Sequence, residues 1–371
     1  MLQARSFRRF AAAVAIAATV IPFPSATGQK PADQKQADQK KADKAEKEKK
    51  DKNPGKFFLS EEPLAVTLTT NIKRIRGDHG DKVPWRPATI SYTDSTGKVV
   101  VVPTELKTRG IWRLKNCDFP PVRMNFKRPL TKGTLFHGLD QPKLTSFCRD
   151  DDNYEQYVIQ ELELYRIYHL LTPKSHTARL LQMTYTDSAS GKVFAKRAAI
   201  LLEEPQFMAV RIGGPLMKVK GARSADLEPF HNALVGVFEY LIGNTDFSIG
   251  GLHNIELVTD STGNVFPIPF DFDFSGAINT RYATTDPSLS IQRVRERLYR
   301  GYCGPADEVA KVVALFKEKK DAIYALYKDD IGKMLKPKLV DETLEYFDDF
   351  YKTINDPRQV RREITDQCLG Q

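Results

Sequence analysis

Residues 268–276 read IPFDFDFSG. Asp271 and Asp273 are set between Phe270, Phe272 and Phe274. In a β-strand successive side chains alternate faces, so both carboxylates would lie on one face and the rings on the other. Neighbouring carboxylates repel, and burial sharpens the repulsion. The stretch therefore needs compensation from solvent, a basic side chain or a metal ion. Upstream, GNTDFSIGGLHN (243–254) reads as an irregular Gly-rich loop after a helix. IELV (255–258), a turn at DSTGN and VFPIPFDF (265–272) then form a hairpin. Asp246, His253 and Asn254 thus stand one hairpin before Asp271 and Asp273. Each motif alone has a plain reading, since Asp and Asn are common in loops, where they bond their own backbone. Together they have the residue types and order of a phosphoryl-transfer site. One Asp orients or deprotonates the acceptor hydroxyl, and an Asn and a further Asp hold magnesium at the phosphates.

The flanking sequence sets the architecture. LAVTLTTNI (64–72) and ATISYT (88–93) alternate apolar and polar residues, and a DSTG turn (94–97) leads into KVVVVP (98–103). VRMNF (122–126) is a further strand candidate. Residues 153–171 carry apolar side chains at helical spacing up to Thr172-Pro173. RLLQMTYTD (179–187) and KVFAKRAAILLEE (192–204) form a second hairpin around SASG. A helix capped by Asp226 runs to Ile242, and helices are expected over 288–300, 305–328, 337–354 and 357–368. Strands, one helix, strands, then a helical part with an embedded hairpin predict an α+β fold in two lobes. A β-rich N-terminal lobe (57–205) precedes a mainly helical C-terminal lobe (206–371).

The N-terminus reads as a leader. Arg5, Arg8 and Arg9 precede an apolar run from Phe10 to Ile21, with a small-x-small pattern at Ala26-Thr27-Gly28. Residues 1–28 are expected to be a signal peptide, and no later stretch is long and apolar enough to span a bilayer. Residues 29–56, rich in Lys, Ala, Asp and Gln, repeat ADQK and read as a disordered tether. The net charge of +9 is mostly N-terminal. Residues 1–28 supply three arginines and residues 29–56 ten lysines against six acids, leaving +2 for residues 57–371. That near-neutral balance argues against a nucleic-acid partner. The four cysteines, Cys117, Cys148, Cys303 and Cys368, match no zinc spacing, and in an exported protein an even count suggests disulfides. Three pairings are possible. Cys117–Cys148 with Cys303–Cys368 is the expected one, each pair closing a loop within one half of the chain; free buried thiols are the alternative.

NTD…HN followed by a hairpin and IPFDFDFSG resembles the spore-coat CotH kinases and, more distantly, the HipA-type kinases. LKTRGIWRL…FPPVRMNF (106–126), the helix 153–171 and GKVFAKRAAILLEE (191–204) are similar to CotH segments in the same order, so the resemblance covers roughly 100–280. It implies a two-lobed protein-kinase-like fold and phosphoryl transfer from ATP or another nucleotide, with Mg2+, to a protein or small-molecule hydroxyl. It also implies roles. Asp246 would be the catalytic aspartate. Asn254 and Asp271 would bind magnesium, supported by Asp273. Glu161 would be the helix acid that pairs with a phosphate-binding cation. Glu203 or Glu204 would lie at the inter-lobe hinge near adenine, and Arg109 and Arg123 would face phosphates. Two departures stand out. Phe119-Pro120-Pro121 occupies the place where CotH-like sequences carry lysines, and the Asp246–Asn254 loop spans eight positions where a typical kinase loop spans about five. Export to the periplasm or cell surface removes the protein from the ATP pool. A catalytically silent module binding an envelope protein is therefore the main alternative, with a metal-dependent phosphohydrolase behind it.

Overall fold

The computed structural model describes residues 55–80, 82–110 and 112–370. The leader and nearly all of the tether lie outside the described residues. Seven strands close into a barrel: β1 (Leu64–Thr70), β2 (Arg86–Thr93), β3 (Val99–Thr108), β4 (Val122–Asn125), β5 (Lys143–Ser146), β6 (Ala178–Asp187) and β7 (Val193–Leu202). Their order is β1-β2-β3-β4-β5-β7-β6. Every pair is antiparallel except the closing one, where β6 runs parallel to β1 with Leu64 opposite Leu181 and Thr70 opposite Asp187.

Period-2 alternation explains the wall. Val66, Leu68 and Thr70 of β1 are buried, while the residues between them are partly exposed. The DSTG turn closes on Asp94, whose Oδ1 accepts from the Thr96 and Lys98 amides at 2.9 and 3.0 Å, with Gly97 at φ +84°. Inside, Leu68, Ile90, Val102, Leu106, Met124 and Leu181 form the barrel core with Phe119, Phe136 and Phe147. β6 and β7 are buried on both faces. Leu181, Met183, Ala199 and Leu201 point into the barrel, and Leu180, Ala198, Ile200 and Leu202 pack outward into a second core.

That second core holds helix α1 (Asp152–Leu171), helix α3 (Pro229–Ile242) and the C-terminal helices α4 (Ala306–Leu326) and α5 (Pro337–Asn355). The short helix α2 (Pro205–Ile212) leads from the barrel to β8 (Leu216–Met217), which joins β9 (Ile255–Thr259) and β10 (Val265–Pro269) in a three-stranded sheet of order β10-β9-β8. The two-lobed kinase-like arrangement expected from sequence is therefore corrected to a closed seven-stranded barrel followed by a helical part. Closure depends on β1–β6 pairing across more than a hundred residues, which no local pattern reports. No described helix is long and apolar enough to cross a membrane.

Three smaller expectations change. Residues 288–300 form bends and turns, not a helix. Helix α3 is capped by Glu228, whose carboxylate accepts from the Phe230 and His231 amides. β10 ends at Pro269, so IPFDFDFSG leaves the sheet before its first aspartate. The disulfides are Cys117–Cys148 and Cys303–Cys368, with Cα atoms 4.5 and 4.8 Å apart. Together with the helix lengths they are compatible with an exported protein.

Candidate active site

Helix α3 ends at Gly243, whose φ of +63° is the left-handed cap that glycine favours. A Cβ there would meet the Tyr346 hydroxyl at 2.0 Å, so the position is closed to side chains as well. The next residue, Asn244, is fixed by its amide to Glu239 O (2.9 Å), and its Oδ1 accepts from the Asp246 amide (3.0 Å). Glu239 sits fully buried behind this turn, and burial pushes its carboxyl up to about 8, against the adjacent Asn244 amide.

The long loop from Asp246 to Asn254 closes on itself. Ser248 and His253 exchange backbone hydrogen bonds of 2.9 and 3.0 Å, and Gly250 N donates to the Tyr302 hydroxyl (2.9 Å). This small hairpin absorbs FSIGG and returns the chain to its start. His253 Nε2 then lies 2.9 Å from Asp246 Oδ1, and Asn254 Nδ2 donates to Asp246 O (2.8 Å) and Oδ2 (3.2 Å). Asn254 O accepts from Phe270 N at 3.1 Å, which draws the following aspartates to the same place.

The strand alternation expected of Asp271 and Asp273 is not found. Asp271 has φ +66°, which turns the chain out of the sheet, and its amide donates to the Tyr165 hydroxyl of α1 at 2.8 Å. Asp273 is buried, accepts from the Tyr282 hydroxyl at 3.0 Å and lies 3.6 Å from Arg113 Nη1. Phe272 fills the core, its ring 4.7 Å from Tyr165 and 5.4 Å from Phe238. Among the described residues the non-glycine positions with positive φ are Leu252, Asn254, Asp271 and Asn279, so two of the four are residues expected to bind magnesium. Such conformations cost about 1 kcal/mol or more each and persist where surroundings enforce them.

The barrel supplies the opposite charge. Arg109 follows β3, and Arg113 lies in the helical turn Trp112–Asn116. Arg123 and Lys143 are register partners on β4 and β5. Burial lowers the Arg109 pKa, with Asp271 opposing and Arg113 and Arg123 adding to the effect. Burial also works against the Arg113 cation, yet Tyr282, Asp273, Glu161 and Asp271 around it hold its pKa above the usual value. For Lys143 burial dominates and, with Arg109 beside it, brings the ammonium down to about 8. Its Nζ stands 4.1 Å from the centre of the Phe270 ring. On the acid side, burial and then the neighbouring carboxylates Asp273 and Asp271 raise Glu161 well above its ordinary value, against Arg113 and Arg109. Burial pushes Asp273 up to about 7, with Arg113 opposing and Asp271 adding to the rise.

Seven of the residues singled out in the sequence thus belong to one charged cluster: Arg109, Arg123, Glu161, Asp246, Asn254, Asp271 and Asp273. Glu203 and Glu204 have other partners. Glu203 pairs with Arg211 at 2.6 Å and accepts from Thr177 N, while Glu204 accepts from the Asp140 and Gln141 amides, both at 2.8 Å. They fasten the chain where it leaves the barrel, and the inter-lobe hinge ascribed to them goes with the two-lobed arrangement. Arg113, Lys143, Tyr165 and Tyr282 were not singled out. Arg113 sits four positions after Arg109 in RGIWR, so a helical turn there would have exposed its role. Lys143 lies in QPKLTS, a strand too short to show a period.

Among the described residues no group of three or more His, Cys, Asp or Glu side chains is placed to hold a metal by itself. The donors present suit magnesium all the same. It is usually held by one or two carboxylates with the substrate's own phosphates. Asn254 turns its NH2 toward Asp246, and its backbone carbonyl holds Phe270, the residue before Asp271, so an amide and a carboxylate side chain are offered by neighbouring segments. No protein-family model matches the chain, and no curated protein matches it.

Proposed function

We propose that this protein is an exported, CotH-like phosphotransferase that moves a phosphoryl group from a nucleotide to a hydroxyl of a protein or small molecule. The observation that supports the reading best is the apposition of barrel cations, Lys143, Arg109 and Arg123, with Asp246, Asn254 and Asp271. A nucleoside triphosphate with a divalent cation has that charge pattern, anionic oxygens beside a cation. Asn254 and Asp271 would hold magnesium, which when bound neutralises charge on the phosphate oxygens. Lys143 and Arg109 bind the transferring phosphates. Asp246 orients the acceptor hydroxyl and takes its proton. The acceptor oxygen then bonds to the terminal phosphorus, the bond to the bridging oxygen breaks, and the nucleoside diphosphate leaves. Arg113 keeps the buried Asp273 and Glu161 in place behind the ligands. The leader at 1–28 and the tether at 29–56 fit action outside the cytoplasm, in the periplasm or beyond.

Lys143 gives the test. Its depressed pKa of about 8 means that the free protein loses this ammonium as pH rises through 8. Nucleotide affinity, measured by calorimetry in magnesium buffer, should fall between about pH 7 and pH 9.5 in the native protein. Lys143→Met should bind about tenfold more weakly at pH 7 and lose most of that pH dependence. Equal affinities for both proteins across the range would remove Lys143 from the phosphate site.

A further inference from the structure

On the barrel wall the helical turn Ile72–Gly77, residues 115–118 and the β6–β7 turn enclose an open cleft of about 700 Å3. Lys73, Arg76, Lys115 and Lys192 line it. Two acids face the same space, and both are engaged. Asp118 lies 3.9 Å from Arg76, and its carbonyl accepts from Arg76 Nε at 2.8 Å. Asp187 accepts from the Ile72 amide (3.1 Å) and from Ser190 N and Oγ (3.0 and 2.8 Å). Among the described residues Lys73, Lys115 and Lys192 have no ion-pair partner in this cleft or elsewhere. The rest of the lining mixes the polar His79, Asn116 and Ser190 with the apolar Ile72, Val193 and Phe194. Val193 is 54% exposed, and the half-buried Phe194 ring lies under the Arg76 guanidinium at 5.6 Å. Cys117, tied to Cys148, fixes one side.

We propose that this cleft is a docking site for an acidic peptide segment of a partner protein. Unpaired cations on a fixed frame attract carboxylates, steering encounter and setting register. The exposed Val193, with the half-buried Phe194 beside it, gives apolar side chains of the same segment a surface, which a bare inorganic anion does not use. The chain's own residues 29–56 have the wrong sign for this role, with ten lysines against six acids. The site is separate from the charged cluster around Asp271 and does not depend on phosphoryl transfer. One link exists: the turn Trp112–Asn116 carries Arg113 toward Asp273 and Lys115 toward the cleft.

The test is fluorescence anisotropy of the full chain with a labelled peptide alternating Glu and Leu. Binding should weaken as salt rises, and should fall at least about tenfold in Lys73→Glu/Lys115→Glu/Lys192→Glu. A comparison variant, Lys317→Glu/Lys319→Glu/Lys333→Glu, should bind as the native chain does, and circular dichroism melts should show all three proteins folded. Equal binding by the cleft variant, or by a peptide with Gln in place of Glu, would overturn the proposal. So would binding of tripolyphosphate or phosphatidylglycerol vesicles with none of the peptide, which would assign the lysines to phosphate or to a lipid surface.

Discussion

Asp246→Asn should lower phosphoryl transfer by about 10²–10⁴-fold while leaving the melting temperature nearly unchanged. The side chain is 43% exposed, so it reaches solvent and an incoming acceptor. Its oxygens receive one hydrogen bond each from His253 and Asn254, which fix the carboxylate without covering it. Asparagine keeps the shape and the backbone bond to Asn244 but cannot take a proton. The two neighbours now donate to it, so one must turn away from the new NH2 group. A half-exposed position tolerates that at small cost, and stability is spared. Incorporation of labelled phosphate into a generic acceptor such as casein, measured beside a thermal melt, separates the two effects. Native-level transfer by the variant would remove Asp246 from the chemistry.

The second large effect is on stability. Arg113→Leu should destabilise the fold by about 3–5 kcal/mol at pH 8. Arg113 is the cation nearest to Asp273, at 3.6 Å, and among the largest charge partners of buried Glu161. Removing it leaves buried Asp273 without its ion-pair cation and Glu161 with Arg109 as its opposing cation. The pH dependence follows from the direction of their shifts. Both folded-state pKa values already stand above the unfolded ones. An acid raised in this way contributes stability below its unfolded pKa and loses it as pH rises toward the folded pKa. The variant raises both further, so its deficit should be small near pH 5 and largest above pH 8. Adding Asp273→Asn should restore part of the loss at pH 8. Urea unfolding at the two pH values reads this directly. A deficit independent of pH would mean that Arg113 acts by packing alone.

The sequence made local elements legible and left their closure hidden. Val66, Leu68 and Thr70 alternate as a half-buried strand should, and β1 lies where the pattern puts it. AAILL in β7 is apolar on both faces because α1 covers the outer one, and such a run carries no hint of the partner. VRMNF reads as a strand and holds β4, but β5 has four residues, too few for a period, and Lys143 was missed with it. Alternation misled at Asp271, where the Tyr165 hydroxyl and a left-handed turn override strand geometry. The residue types in NTD…HN and DFD were readable as a candidate site. How they meet was not, since it rests on the Ser248–His253 pairing and on α1, far away in the chain.

Asp271 offers the most direct test, because asparagine also tolerates its φ of +66° and keeps the backbone bond to Tyr165. Asp271→Asn therefore removes a charge with little change of shape. The measurement is calorimetric titration of ATP into the full chain, with and without magnesium, for the native protein and this variant. Magnesium-dependent binding by the native chain is expected, weakening at least about tenfold in the variant. No binding of ATP or GTP under either condition, or equal affinity with and without magnesium in both proteins, would contradict it.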